Sequence, residues 1–212
     1  RYIESCPTSR KPSREAMAAF WAQAGSEVGG AGFTLLPEGS RRGLWLKRLF
    51  LLDAPEDGRV LRSGYNTPLR PQARPYAAQW LRGGATIWRR KVVEAFPFDE
   101  WFTGYSYLED VDHSLRVHRR YRLMMVPEAL AWHVAARKRW RHQFQLGIWQ
   151  VRNRLYLAQK HPELSVGLCL WSLVGQSILN GTVGIAQEGL RGGLRVLGNL
   201  VGWVQVGWRR GL

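Results

Sequence analysis

From Leu164 to Gln187 the chain runs for 24 residues without a formal charge. As an α-helix at about 1.5 Å per residue, such a run would reach roughly 36 Å, enough for the roughly 30 Å core of a bilayer. Gly167, Gly175, Gly181 and Gly184 interrupt it, and Gln176 and Asn180 lie inside it. After Glu188 a second apolar stripe follows at helical spacing: Leu190, Leu194, Leu197, Val201, Val204 and Trp208, with Gly198 and Gly202 four apart and Arg209 and Arg210 behind. Ahead of both, Phe144, Ile148, Val151, Leu155 and Ala158 recur every three or four residues. That stretch is crowded by Arg137, Lys138, Arg139, Arg141, Arg152 and Arg154, so it reads as a basic amphipathic helix. The region 137–212 is therefore expected to be a basic helix plus an apolar helical hairpin. The hairpin can lie in a membrane interface, span the membrane, or form ordinary core helices.

The preceding 136 residues read differently. Ser13 to Gly25 predicts a helix, with Ser13 as N-cap and Gly25 as its stop. Val28 to Leu36 predicts a strand whose glycines permit close backbone approach. Gly39 to Pro75 is punctuated by Gly, Pro and Arg and predicts an irregular excursion, with short strands at Leu49–Leu52 and Arg59–Leu61. Helices are expected at Trp88–Phe96 and from Glu109 to about Arg119, and a strand at Arg122–Val126. Alternating strands and helices argue for an α/β fold.

Charge bounds the partners. The net charge is +15, and the Lys share is only Lys11, Lys47, Lys91, Lys138 and Lys160, so the excess is carried by Arg. Such a balance favours a polyanionic partner: nucleic acid, an anionic membrane face or phosphorylated substrates. Cys6 and Cys169 are far apart and show no metal-type spacing, which indicates neither a disulfide framework nor a zinc site.

The chemistry concentrates at Glu109, Asp110 and Asp112, three carboxylates in four positions, just downstream of Phe98-Asp99-Glu100. Acids at a helix start are favoured by the macrodipole alone. Their neighbours add more: Gly83-Gly84 and Arg89-Arg90 precede them, Arg116 follows, and Pro127-Glu128-Ala129 leads on to His133. Asp112, about 200° around the helix from Asp110, is expected to cap or to pair with Arg89, Arg90 or Arg116.

This ordered set resembles the family 2 glycosyltransferases of GT-A fold, over roughly residues 1–153 and most clearly 82–133. The resemblance implies a partial, Rossmann-like GT-A domain at residues 1–136, the acceptor-side part of a longer enzyme. It places the nucleotide pocket and an Asp-x-Asp metal motif in about a hundred residues before Arg1, by typical domain size. It implies transfer of a hexosyl or deoxyhexosyl unit from a nucleotide-diphospho-sugar to a lipid-linked or envelope glycan, at the cytoplasmic face of a bacterial inner membrane with an anionic surface. Asp110 is then the general base of an inverting reaction, with Glu109 orienting the acceptor or the base. Gly83, Gly84 and Arg152 would bind substrate, and His133 would complete the shell of a divalent metal, Mg²⁺ or Mn²⁺. Retaining transfer stays open, because fold does not fix stereochemistry. The chain departs from the family pattern at Ala95-Phe96-Pro97-Phe98, where glycines are common, and at His113, where Leu is common.

Two rivals come from other classes. The interleaving of Arg with Trp, as in Lys138-Arg-Trp-Arg141, suits a nucleic-acid-binding module, since aromatics stack bases and Arg neutralises phosphate. The acid cluster would repel phosphates, so no nucleic-acid partner is expected. A noncatalytic membrane-associated scaffold is the other rival.

Overall fold

The computed structural model describes residues 13–36, 45–132 and 140–209. The architecture is mixed α/β: a four-stranded sheet in the order β2-β4-β1-β3, followed by a helical C-terminal region. Strand β1 (Val28–Leu36) pairs in parallel with β4 (Arg122–Trp132) and antiparallel with β3 (Thr86–Trp88), while β2 (Tyr76–Ala78) pairs antiparallel with the outer edge of β4. The glycines of β1 act as expected. A Cβ at Gly30 would fall on the Trp88 ring, so a bulky indole from the neighbouring strand lies flat over the backbone only where no side chain intervenes.

Helix α1 (Ser13–Gln23) lies against β4 and buries Met17 with Ala31, Val126 and Ala129. Beyond it, Arg89 donates to the carbonyls of Ala24 (3.1 Å), Gly25 (2.7 Å) and Val28 (2.7 Å) and sits over the Trp21 ring. It thereby ties the turn after α1 to the start of β1. Helix α4 (Glu109–His118) covers the sheet with Val111, Leu115 and Val117, in one core with Leu81, Val92, Leu123 and Met125.

Several expectations change. Leu49–Leu52 is no strand: α2 (Trp45–Leu49) runs into a closing turn in which Leu52 N–H donates to the Lys47 carbonyl at 2.7 Å. Of Arg59–Leu61 only an isolated bridge, Val60 to Asn66, forms. Trp88 belongs to β3, and α3 is shorter, Arg90–Ala95, because the open edge of β1 supplies hydrogen-bond partners that a helix start there lacks. Strand β4 continues past Val126 to Trp132. Its register slips from Phe33–Val126 to Thr34–Leu130, so Pro127, which has no N–H to offer, falls in the bulged segment.

The C-terminal region is α5 (Trp140–Lys160), α6 (Val166–Leu179), a π-helical turn (Asn180–Gly184), α7 (Ile185–Glu188) and α8 (Leu190–Arg209). Ser165 caps α6 by accepting from Leu168 N–H at 3.4 Å, and Gly189 at φ 57° ends α7. The boundary expected between 136 and 137 is crossed by packing. Leu157 of α5 belongs to the core of the sheet, while Val151, Leu155 and Ala158 pack on Cys169 and Leu173 of α6. Gln150, Asn180 and Asn199 hydrogen-bond to one another in the interior of the helices at 2.8–3.1 Å. Among the described residues one helical segment, Val166–Glu188, is long and apolar enough to cross a membrane, with 33% of its most apolar window buried.

Candidate active site

Helix α4 begins without a side-chain cap: Leu108, at its N-cap position, adopts φ 75°, and Ser106 two residues earlier adopts φ 53°. Left-handed conformations are disfavoured for residues with a Cβ, and two instances this close mark a segment held by its surroundings. This turn delivers Glu109 and Asp110 into a cleft of about 550 Å³. Its walls are the Arg82–Gly84 turn, the Tyr105–Leu108 loop, Asn66, Trp80, and the ends of β1 and β4 at Leu35, Ala131 and Trp132.

Asp110 is half-buried. Its Oδ2 accepts from Gly83 N–H at 3.3 Å and its Oδ1 from Val111 N–H at 2.9 Å. Burial pushes its carboxyl above the ordinary carboxylate range, with a further push from Glu109, against the downward pull of those two N–H groups. Arg82 also lines the cleft. Burial lowers its pKa, the Asp110 charge raises it, and among the described residues its guanidinium makes no ion pair within 4.0 Å. Among the described residues the cleft thus brings together a desolvated carboxylate, a second acid, one cation and four aromatic rings: Trp80, Tyr105, Tyr107 and Trp132. Tyr105 and Trp132 are more than half exposed.

Asp112 faces the other way, as its angular offset from Asp110 requires. It is fully buried and bonded to Arg116 Nε (3.0 Å), Lys160 Nζ (2.7 Å) and His161 Nε2 (2.8 Å). Burial pushes this carboxyl up, but His161, Lys160 and Arg116 more than offset that and hold it below the usual range. Of the alternatives expected for it, a cap or Arg89, Arg90 or Arg116, the partner is Arg116; Arg90 pairs with Glu94 instead, and the clamp from the end of α5 is additional. Next to it, His113 fills an apolar slot, stacked on Phe98 at 4.2 Å and edge-on to Trp88 at 4.5 Å, and burial lowers its pKa to about 4. A neutral imidazole in an aromatic sandwich accounts for a polar residue buried here.

Of the residues expected to act on substrate, Glu109, Asp110, Gly83 and Gly84 converge on the cleft. Arg152 does not line it. Its guanidinium lies 5.1 Å from the Trp101 ring, and Nε donates to Asn153 Oδ1 at 3.4 Å. His133 lies outside the described residues, as do Arg137, Lys138 and Arg139. Among the described residues no group of three His, Cys, Asp or Glu is placed to hold a metal; each Asp110 oxygen accepts one backbone N–H. A larger cleft of about 950 Å³, under α1 and beside Pro127 and Glu128, shares no lining residue with the first.

The sequence reading missed Arg82, Asn66 and the aromatic walls. Arg82 and Tyr105–Tyr107 flank the motif and were within reach of a local argument. Asn66, in the irregular excursion, carries no local signal. Compared with known protein families, with characterised proteins and with solved structures, the chain matches none.

Proposed function

We propose that the protein is the acceptor-side part of a family 2 glycosyltransferase of GT-A fold, acting at the cytoplasmic face of a bacterial membrane on a nucleotide-diphospho-sugar and a lipid-linked or envelope glycan. The observation that carries this reading is the Asp110 carboxylate, half-buried in an aromatic-walled cleft, raised in basicity by desolvation and aimed by Gly83 N–H. A sugar hydroxyl is a poor nucleophile. In the inverting form of the reaction Asp110 takes the hydroxyl proton as the acceptor oxygen bonds to the anomeric carbon, and the bond to the nucleoside diphosphate breaks, the electron pair leaving with the diphosphate. A base whose pKa lies nearer the working pH transfers that proton more effectively. Glu109 stands at the same helix start to receive a second hydroxyl. Arg82 supplies positive charge beside them, and exposed aromatic rings offer flat apolar faces to a sugar's C–H groups.

Membrane attachment is part of the proposal, supported by the +15 charge and by exposed apolar side chains on α2, α6 and α8.

The test is transfer by the enzyme against a panel of nucleotide-diphospho-sugars and lipid-linked acceptors. Asp110→Asn is expected to keep the fold and lower turnover by at least about a hundredfold, the low end for a positioned base. The acidic limb of the pH–rate profile should lie above the ordinary carboxylate range, because the raised carboxyl must lose its proton to act, and it should vanish in the variant. Undiminished transfer by Asp110→Asn, with loss in Glu109→Gln, would move the base to Glu109.

A further inference from the structure

We propose that Asn153 and Arg154 of α5 are positioning residues that lock the Gly104–Leu108 loop and thereby set the direction in which the Asp110 carboxylate meets a substrate. The inference rests on the reading of Asp110 as the base.

The loop needs a lock. Ser106 and Leu108 both hold positive φ, immediately before the acids, and such conformations persist only where neighbours over-determine them. Local bonds do part of this: Ser106 Oγ donates to the Phe102 carbonyl at 3.2 Å, and Glu109 N–H to the Ser106 carbonyl at 3.0 Å. The residue between the two strained positions is gripped from α5. Asn153, with no exposed surface, donates from Nδ2 to the Tyr107 carbonyl at 2.8 Å, and Arg154 Nη2 donates to the Tyr107 hydroxyl at 2.9 Å. Backbone and side chain of one loop residue are thus held by successive residues of one helix.

Arg154 is costly for a purely structural role. It is 2% exposed, and among the described residues no carboxylate pairs with it. Its other Nη donates to the Gly64 carbonyl, and its guanidinium carbon lies 3.6 Å from the centroid of the Tyr65 ring. An apolar side chain of similar size would fill this space without burying an uncompensated charge. What an apolar residue would not supply is a fork reaching Gly64 and Tyr107 together, which joins the loop to the irregular excursion across α5. The excursion is itself tied onward, since Tyr65 donates its hydroxyl proton to Gln176 of α6 at 3.1 Å.

The experiment is a ¹³C-carboxyl NMR titration of the aspartates in the 212-residue chain, which needs no substrate. Tyr107→Phe removes one hydroxyl, Asn153→Ala removes the amide, and Arg154→Lys removes the fork. Leu173→Ala, in the α5–α6 core, is the control for a general loss of stability. With the loop released, Asp110 should gain water, and its midpoint should fall toward the ordinary carboxylate value by about half a pH unit or more in the three loop variants, with no change in the control. An Asp110 midpoint that stays put in Tyr107→Phe and in Asn153→Ala, or that moves equally in Leu173→Ala, overturns the proposal. Tyr107→Phe, a single-atom change, keeps the test decisive if Arg154→Lys does not fold. If the midpoints move as expected and no sugar is transferred by the enzyme, the glycosyltransferase reading fails while the lock stands.

Discussion

Asp112 and His113 are adjacent, buried, and electrostatic opposites. The carboxylate is stabilised as an anion by three basic side chains, and the imidazole is kept neutral by aromatic rings. The pH dependence follows from the second. With its folded pKa lowered to about 4 from the usual 6.5, His113 refuses a proton that the unfolded chain accepts, so stability is fully present above 6.5 and is lost as pH falls from 6.5 to about 4. The full effect is about 3 kcal/mol at 1.4 kcal/mol per pH unit. His118, also lowered by burial, adds in the same direction. Chemical denaturation across that window should therefore show a slope that flattens in His113→Phe, a ring of similar volume for the same slot. An unchanged slope would assign the pH dependence to His118 or elsewhere.

Among the elements, α5 and α8 approach so closely that glycine is required at the crossing. A Cβ at Gly198 would land on the Phe144 carbonyl, and one at Gly147 on the Arg195 carbonyl. Asn199 uses this proximity to donate to the Gly147 carbonyl at 2.9 Å. The four-residue spacing of Gly198 and Gly202, noted beside the apolar stripe, is a packing seam against α5. Gly198→Val should push the helices apart, strand the Asn180–Gln150–Asn199 hydrogen bonds, and cost at least about 2 kcal/mol. Gly193 meets nothing within 4 Å where a Cβ would stand. Gly193→Ala should accordingly stabilise by up to about 1 kcal/mol through helix propensity alone. Paired thermal melts check both signs, and equal shifts for the two variants would contradict the crossing.

For the molecule as a whole, apolar exposure and positive charge coincide. Trp45 (72% exposed) and Leu49 of α2 stand beside Trp171 (46%), Val174 and Ile178 of α6, because Phe50 packs on Trp171 and Gly175 and the Trp171 indole donates to the Leu49 carbonyl at 3.0 Å. Lys47 and Arg48 lie on the same short helix. Under the proposed membrane attachment these exposed apolar side chains would enter the interface, and the +15 charge would favour an anionic bilayer over a second equally charged copy. Flotation with vesicles containing phosphatidylglycerol should carry the protein upward, more weakly at high salt, since each well-placed Lys or Arg adds roughly 1 kcal/mol near an anionic leaflet. Trp45→Glu and Trp171→Glu should weaken it further. Protein that stays at the bottom of the gradient at every salt concentration would make this face a contact between proteins.

The helix at Ser13, the helix at Glu109, the Gly-rich strand and Arg116 as one of three candidate partners of Asp112 were legible in the sequence because each depends on residues within a turn or two. The helix at Trp45–Leu49, the β-character of Trp88, the Asn66 wall of the cleft and the grip of Asn153 and Arg154 on Tyr107 were not. Each is decided by partners tens of residues away. Burial, which sets the basicity of Asp110, the neutrality of His113 and the pairing of Asp112 with Lys160 and His161, is a property of the packed interior, where desolvation outweighs local preference. The chain by itself determined which residues carry charge and that a helix opens at the acid cluster; which of those charges face a cleft and which are sealed inside was decided only when the sheet and α5 closed around α4.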